Sequence, residues 1–180
     1  MHRVFAFLMA GLLGLTVAAC GSGDDHNSAD VQFLQGMIPH HRQAIEMAQM
    51  ASSQASTAEV KDLAARIEQA QEPEIETMSA LLAEWGEDVP RDSEMGDMDS
   101  GSMGSMDGMM TDEQMAELMG QSGSGFDQMF LSLMIEHHTG AIQAAQSVQQ
   151  DGASAEVIEL AETIEQSQAE EVAEMAALLE

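Results

Sequence analysis

MIPHHRQAI at residues 37–45 and MIEHHTGAI at residues 134–142 are two versions of one nine-residue stretch, and together they decide the fold. The two stretches begin 97 positions apart. Shifting the sequence against itself by this distance aligns 30–82 with 127–179 without a gap, and about half of the aligned positions are identical. The chain therefore contains an internal duplication.

Each copy has the pattern of two amphipathic helices. Apolar residues recur in steps of three and four over 30–53 and 57–84 in the first copy, and over 127–150 and 154–180 in the second. Short connections between the two helices of a copy predict an antiparallel hairpin, and two hairpins that bury their apolar faces together give an all-α four-helix bundle. The predicted hairpins are residues 30–85 and 126–180.

Short polar side chains mark the predicted helix starts. Asp30 and Asp127 are the predicted N-caps of the first helix in each copy. Ser56 and Glu59 have the spacing of a capping box, and Ser154 begins the matching helix of the second copy.

A histidine pair lies within the apolar face of the first helix in each copy. His40 continues the stripe of Phe33, Met37 and Ala44, and His41 continues the stripe beside it. The second copy repeats both stripes, so all four histidines are predicted to face the core.

The second helix of each copy interrupts its apolar stripe with a glutamine and a glutamate, and a methionine follows one turn later. Counting outward from the turn near residues 55 and 56 places the histidine pair opposite Gln71 and Met37 opposite Glu74. Buried carboxylates are costly unless they are paired or bind a metal. The two predicted clusters contain Met37, His40, His41, Gln71, Glu74 and Met78 in the first copy, and Met134, His137, His138, Gln168, Glu171 and Met175 in the second.

Three interpretations of these clusters remain open from the spacing. They are a hydrogen-bonded polar layer that fixes helix pairing, a transition-metal site with imidazole, thioether and carboxylate ligands, or a catalytic His–Glu pair. The third needs a nucleophile, and no Ser or Thr is obviously placed for that role. Pro39, whose counterpart is Glu136, predicts that the two clusters are not equivalent and that a kink near Gly36 and Pro39 opens the first.

The linker between the hairpins, residues 86–125, is rich in Gly, Ser, Asp and Met, and a short helix is predicted from about Thr111. Thioether sulfur is a soft, uncharged ligand that favours Cu(I). Met115 and Met119 are predicted to be packing residues beside Leu118. The other linker methionines lack apolar neighbours and are predicted Cu(I) ligands, with an oxidisable low-complexity spacer as the alternative: Met95, Met98, Met103, Met106, Met109 and Met110.

The N-terminus has the pattern of an export signal, because an apolar run follows a single arginine and ends in small residues and Cys20. Residues 17–20 resemble a bacterial lipobox. This predicts a signal peptide at 1–19, a lipid on Cys20 that anchors the protein to a membrane, and a flexible tether at 20–29. Cys20 is the only cysteine. A metal must therefore bind through His, Met or carboxylate groups.

The formal charge of the chain is −27, and no Lys or Arg follows Arg91. Nucleic-acid binding needs basic side chains for the phosphates, so a nucleic-acid partner is excluded. Cations are the natural partners of such a surface.

The repeated Met-Ile-x-His-His-x-x-Ala-Ile resembles the family known as domain of unknown function 305 (DUF305), as does Gln-x-x-Glu-(Ile/Val)-x-x-Met at 71–78 and 168–175. The resemblance covers roughly 30–85 and 127–180. It implies a ferritin-like four-helix bundle without a general enzymatic activity, and some members, the CopM-type proteins, are exported copper-binding proteins. The ligands that it implies are His40, His41, His137, His138, Met37 and Met134.

These observations predict a lipid-anchored protein that sequesters or hands over Cu(I), with Cu(II) or Ag(I) as alternative ions and a copper-exchange protein as a partner. A di-iron oxidase or iron store is an alternative, but such sites use a Glu three residues before a ligand histidine, and none of the four histidines has one. A purely structural helical module is the other alternative.

Overall fold

The computed structural model describes residues 26–91 and 106–180, and within these ranges it is built from helices without strands. The predicted signal peptide, Cys20 and the candidate ligands Met95, Met98 and Met103 lie outside the described residues. The helices are α1 (Ser28–Gln54), α2 (Ala58–Trp85), α3 (Asp112–Met119), α4 (Gly123–Asp151) and α5 (Ala155–Leu178).

The helices pair as the duplication predicts. α1 packs along α2, α4 packs along α5, and the two hairpins meet mainly through α1 and α4, while α2 and α5 touch only briefly. The all-α bundle of two hairpins is therefore confirmed. α3 is the short helix expected in the linker, and Thr111 caps it in a capping box with Gln114. None of the helices in the two described ranges is long and apolar enough to span a bilayer.

The sequence suggested Asp30 as the N-cap of α1, but Asp30 does not occupy that position. Asn27 is the N-cap, and the carboxylate of Asp30 accepts a hydrogen bond from the backbone N–H of Asn27 at 2.7 Å. The same Asp30 oxygen accepts from the backbone N–H groups of Ala153 and Ser154, at 3.0 and 3.2 Å. Asp30 thereby ties the start of α1 to the turn between α4 and α5.

Asp127 of the second hairpin makes the equivalent contact with the first hairpin. The N-cap position of α4 is Ser122, and Asp127 instead accepts from the backbone N–H and the hydroxyl of Ser56, in the turn between α1 and α2. The cap of α2 is Thr57 and not Ser56, whereas Ser154 caps α5 as predicted. Each hairpin therefore holds the turn of the other through an aspartate.

The core consists of two apolar clusters. One joins the second half of α1 and the first half of α2 to the first half of α4. The other joins the first half of α1 and the end of α2 to the second half of α4 and the first half of α5. α1 and α4 are thus antiparallel, and the histidine pairs at the middle of each lie between the two clusters.

Pro39 does not end α1, which runs as one helix through this buried residue. The side of α1 at Gly36 is covered by Met106, whose methyl group would lie 3.0 Å from a Cβ at that position.

Candidate metal site

The four histidines form one buried layer at the centre of the bundle. His40, His41, His137 and His138 are all 0% exposed, as the sequence predicted for core-facing residues. The rings of His40 and His137 contact each other across the α1–α4 interface, with centroids 3.7 Å apart and a tilt of 36°. The two clusters inferred from the two copies therefore meet in a single layer.

A glutamate holds the second histidine of each pair. His41 Nε2 lies 2.7 Å from Glu74 Oε2, and His138 Nε2 lies 2.6 Å from Glu171 Oε2. The residue count had placed Glu74 opposite Met37, one turn earlier on α1. A carboxylate accepts only from a protonated nitrogen, so this contact places a proton on Nε2, and in the neutral form of each ring the lone pair is then on Nδ1.

Burial keeps the other two histidines neutral. It lowers the pKa of His40 from 6.5 to about 3, with a further contribution from the neighbouring charges of His41 and His138. The pKa of His137 is also well below its usual value, first because of burial and then because of His40. Each neutral ring has one nitrogen with a free lone pair, which is the form that binds a metal.

The layer contains polar atoms that make no hydrogen bond of normal geometry within the described part of the chain. A buried polar group without a partner costs about 1–3 kcal/mol. The atoms without a hydrogen-bond partner in the described part of the chain are both ring nitrogens of His40 and His137, Nδ1 of His41 and His138, and both amide atoms of Gln71 and Gln168.

Buried methionines lie on both sides of the layer. Met37 and Met78 belong to one apolar cluster, and Met134 and Met175 belong to the other. All four are fully buried. Within 26–91 and 106–180, no three His, Cys, Asp or Glu side chains are arranged to hold one ion. A site with three ligands in this layer therefore needs thioether sulfur or a rotated imidazole.

The linker methionines in the described ranges differ in their surroundings. Met110 is 5% exposed and belongs to an apolar cluster, which the sequence did not indicate. Met106 and Met109 are partly buried. Met115 packs on the core as predicted, but Met119 is 57% exposed, so its predicted packing role is wrong.

Two residues near the layer were missed by the sequence argument, Gln43 and Gly140. They occupy equivalent positions in the two copies, and both contact the part of the linker just before α3. The available signal was the mismatch itself, since a glutamine aligns with a glycine between the repeated His-His and Ala-Ile pairs.

The DUF305 family model matches residues 30–179. A DUF305 protein from Streptomyces coelicolor, described as secreted, is 31% identical, with a TM-score of 0.74 over 84% of this chain and 92% of that one. A DUF305 fragment from Deinococcus radiodurans is 30% identical, with a TM-score of 0.72 over 85% of this chain and 96% of that one. No curated protein sequence matches the chain.

The fold is also similar to that of CopM. The Cu(II)-bound form of CopM is 31% identical, with a TM-score of 0.70 over 83% of this chain and 95% of that one. CopM structures are also known in Cu(I)-bound and Ag-bound forms.

Proposed function

The chain belongs to the DUF305 family, and we propose that it is an exported copper-binding protein that takes up Cu(I) through methionine and histidine side chains. It holds the ion or passes it to an exchange partner, and it carries out no turnover. Ag(I) and Cu(II) are the other ions that the same ligands would accept.

The observation that carries this proposal is the buried layer with its unpartnered nitrogens. An apolar replacement of such a layer would avoid the cost of desolvating polar groups without partners. Ring nitrogens that have lone pairs and lie between buried thioethers form a donor set suited to a soft transition ion. The Cu(I)-, Cu(II)- and Ag-bound forms of CopM, a relative of similar fold, support the same choice of metal.

The layer is prepared for a cation because two of its imidazoles do not have to lose a proton first. His40 and His137 are neutral at physiological pH, since the pKa of each lies far below 7. Glu74 and Glu171 hold the proton of His41 and His138 on Nε2 and thereby fix the orientation of each ring. Metal binding by His40 and His137 therefore competes little with protons in this pH range.

The carboxylates also adjust the charge of the layer. Glu74 and Glu171 are 15% and 17% exposed, so they connect the buried rings to the surface. A negative charge at the outer nitrogen of an imidazole makes the inner nitrogen a better donor. Two such charges would compensate the positive charge of bound copper.

Export and anchoring belong to the same proposal. The signal pattern at 1–19 would direct the chain out of the cytoplasm, and a lipid on Cys20 would hold it at a membrane. The linker methionines Met95, Met98 and Met103 would then collect Cu(I) outside the cell or in the periplasm. A surface of net charge −27 raises the local cation concentration, more strongly at low salt.

A Cu(I) competition titration against a chromophoric chelator tests the binding function. The unmodified chain is compared with a variant in which leucine replaces Met95, Met98 and Met103, and with the double variant His40→Gln, His137→Gln. Leucine at Met115, Met119 and Met129 provides a matched control with the same number of lost sulfurs. We expect stoichiometry to fall in the first two variants and to stay constant in the control.

Absence of Cu(I) binding by the unmodified chain would reject the proposal and leave the histidines as a structural polar layer. Equal losses in the methionine variant and its control would remove the linker from the binding function. Anchoring is tested separately by the intact mass of the membrane-bound protein, where an unmodified Cys20 contradicts it.

A further inference from the structure

A short segment in the middle of the linker, just before α3, lies against the bundle beside the histidine layer. We call residues 106–110 the linker strap. At its start, Met106 lies on Gly36 of α1. In its middle, Gly108 adopts φ +87° and approaches the backbone of α4 so closely that a Cβ there would lie 2.7 Å from the carbonyl oxygen of Glu136 and 3.0 Å from that of His137.

Gln43 of α1 fixes the end of the strap. Its side-chain Nε2 donates to the carbonyl of Met110 at 2.9 Å, and its Oε1 accepts from the backbone N–H of Met110 at 2.7 Å. Gln43 is 8% exposed, and both hydrogen bonds are buried. The amide of Gln43 thus pairs with both backbone groups of Met110, as a neighbouring β-strand would. Gln43 lies less than one helical turn beyond His40.

Gly140 of α4 makes room for the strap. A Cβ on Gly140 would lie 1.7 Å from the carbonyl oxygen of Asp107, a distance that no packed structure tolerates. Glycine in the interior of a helix costs about 1 kcal/mol relative to alanine, so its presence in α4 weakens the helix. The close approach of the strap gives this glycine a packing role.

An ion has few ways to reach the layer, because all four histidines are fully buried. Separating α1 from α4 would open the centre of both apolar clusters. On the sides of the layer at Glu74 and Glu171, each carboxylate makes a short hydrogen bond to a histidine ring and so blocks the approach. The strap, in contrast, lies outside the five helices, so it can leave its place without unfolding any of them.

We propose that the linker strap is the gate through which a soft metal ion reaches the histidine layer, and that Gln43 and Gly140 hold this gate closed. Met106 and Met109 place sulfur on the strap itself, so an ion collected by the linker arrives where the gate opens. The metal in this inference rests on the proposed function, whereas the closed gate rests on the contacts of Gln43 and Gly140.

Gly140→Ala is the variant that opens the gate most selectively. Its added methyl group displaces the strap at Asp107, whereas the substitution favours α4 as a helix, so the bundle is expected to stay folded. Gly108→Ala acts from the other side of the same contact, because φ +87° and the carbonyls of α4 both exclude a Cβ. Gly120→Ala is the matched control, since Gly120 is αR and its Cβ would meet nothing closer than 3.4 Å.

The probe is diethyl pyrocarbonate, which acylates accessible neutral imidazole nitrogen, and the rate at each histidine is read by peptide mass spectrometry. His26, which stacks on Trp85 and is partly exposed, provides an internal reference. We expect Gly140→Ala and Gly108→Ala to raise the rate at His40 and His137 about tenfold, which corresponds to about 1.4 kcal/mol in the free energy of opening. Gly120→Ala should leave the rate unchanged, and circular dichroism should show a folded bundle in all three.

The same variants are then loaded with Cu(I) and followed by NMR of ¹⁵N-labelled histidine rings. The gate predicts that ring signals respond faster in Gly140→Ala than in the unmodified chain. Unchanged acylation and loading rates in the two gate variants would overturn the inference, and a rate increase in Glu74→Gln alone would assign access to the glutamate edge. If no ring signal responds to Cu(I) in any chain, the proposed function fails, while the acylation rates still decide whether the strap closes the layer.

Discussion

The two copies of the hairpin agree on the inside and differ on one outer side. Inside, His41 with Glu74 and His138 with Glu171 repeat the same contact at 2.7 and 2.6 Å. On the side that receives the strap, the aligned residues are dissimilar, since Gln43 corresponds to Gly140 and Gly36 to Leu133. The repeated residues thus build a symmetric layer, and the substituted ones hold a single linker against it.

This difference separates two requirements of the molecule. A layer built from both copies needs equal residues at equal places, because each histidine meets its counterpart or the equivalent glutamate. A single linker can lie on only one side of a pseudosymmetric bundle, so the residues around it cannot be equal. Substitutions of equivalent residues in both copies should therefore affect the histidine layer. Substitutions in one copy alone should affect the contacts that surround the layer.

The largest expected effect breaks the layer by protonation. The folded-state pKa of His40 is about 3, against 6.5 for an ordinary histidine, and that of His137 is also strongly lowered. Below pH 6.5 the unfolded chain takes up protons that the folded layer refuses, so stability is complete above this pH and falls as the pH decreases toward 3. Between pH 7.5 and about 4.5 we expect the free energy of unfolding to fall by about 3 kcal/mol through His40 alone, and by more with the contribution of His137, measured by urea denaturation.

The control for this pH effect is the double variant His40→Gln, His137→Gln, which removes the two lowered pKa values. The other titratable groups of the layer are present in both proteins: His41, His138, Glu74 and Glu171. A flatter pH profile in the variant assigns the loss to the pair of His40 and His137. If both proteins lose stability equally, the acid sensitivity comes from elsewhere in the chain.

The next effect compares the two aspartates that hold the opposite turns. Asp30→Ala leaves the buried N–H of Ser154 and that of Ala153 without an acceptor, whereas Asp127→Ala frees groups of Ser56, an exposed residue that water can satisfy. Because hydrogen bonds to a charged group contribute about 1.5–3 kcal/mol each, we expect losses of about 3 kcal/mol for Asp30→Ala and about 2 kcal/mol for Asp127→Ala. Denaturant titration of the two variants measures this, and equal losses would contradict the role of burial.

A smaller effect tests whether the two His–Glu contacts contribute equally to Cu(I) affinity. Glu74→Gln and Glu171→Gln each remove the charge that orients a histidine, and loss of such a partner weakens metal binding about 10–100-fold. The two contacts are nearly identical, so the two variants should lose Cu(I) affinity by similar factors in a chelator competition. The control is Glu68→Gln, because Glu68 bonds Gln49 at the exposed surface. A loss confined to one of the two copies would show that the layer binds asymmetrically.

The fold could be predicted because its signals are local and repeated. Apolar residues at helical spacing and the shift of 97 positions define two hairpins, and the histidines lie on stripes that can only face inward. The caps were less certain, since Asn27 and Asp30 are both good N-cap residues. Asp30 serves the distant turn at Ala153 instead, a contact that depends on how the hairpins pack and leaves no periodic signal.

The composition of the candidate site was predictable, but its arrangement was not. The helical pattern places His40 and His137 inside, yet the contact between their rings depends on the rotation of α1 against α4. The contact of Glu74 with His41 is one turn away from the position that residue counting gave, because counting ignores side-chain length. The strap was missed because Gln43 and Gly140 contact a segment that has no helical period.

The smallest expected effect concerns an ion pair that forms at only one of the two positions related by the duplication. Arg66 of α2 donates to both carboxylate oxygens of Glu174 of α5 at 2.5 and 2.6 Å, while the equivalent positions in the other copies are Thr163 and Thr77. Both side chains are about half exposed, at 52% and 46%, so water and salt screen the pair. We expect a coupling energy of about 0.5 kcal/mol from a double-mutant cycle of Arg66→Ala and Glu174→Ala, decreasing further in 1 M salt. α2 and α5 otherwise touch little, so a coupling several times larger would mean that this bridge closes the outer side of the bundle and that the duplication is asymmetric on both sides of its layer.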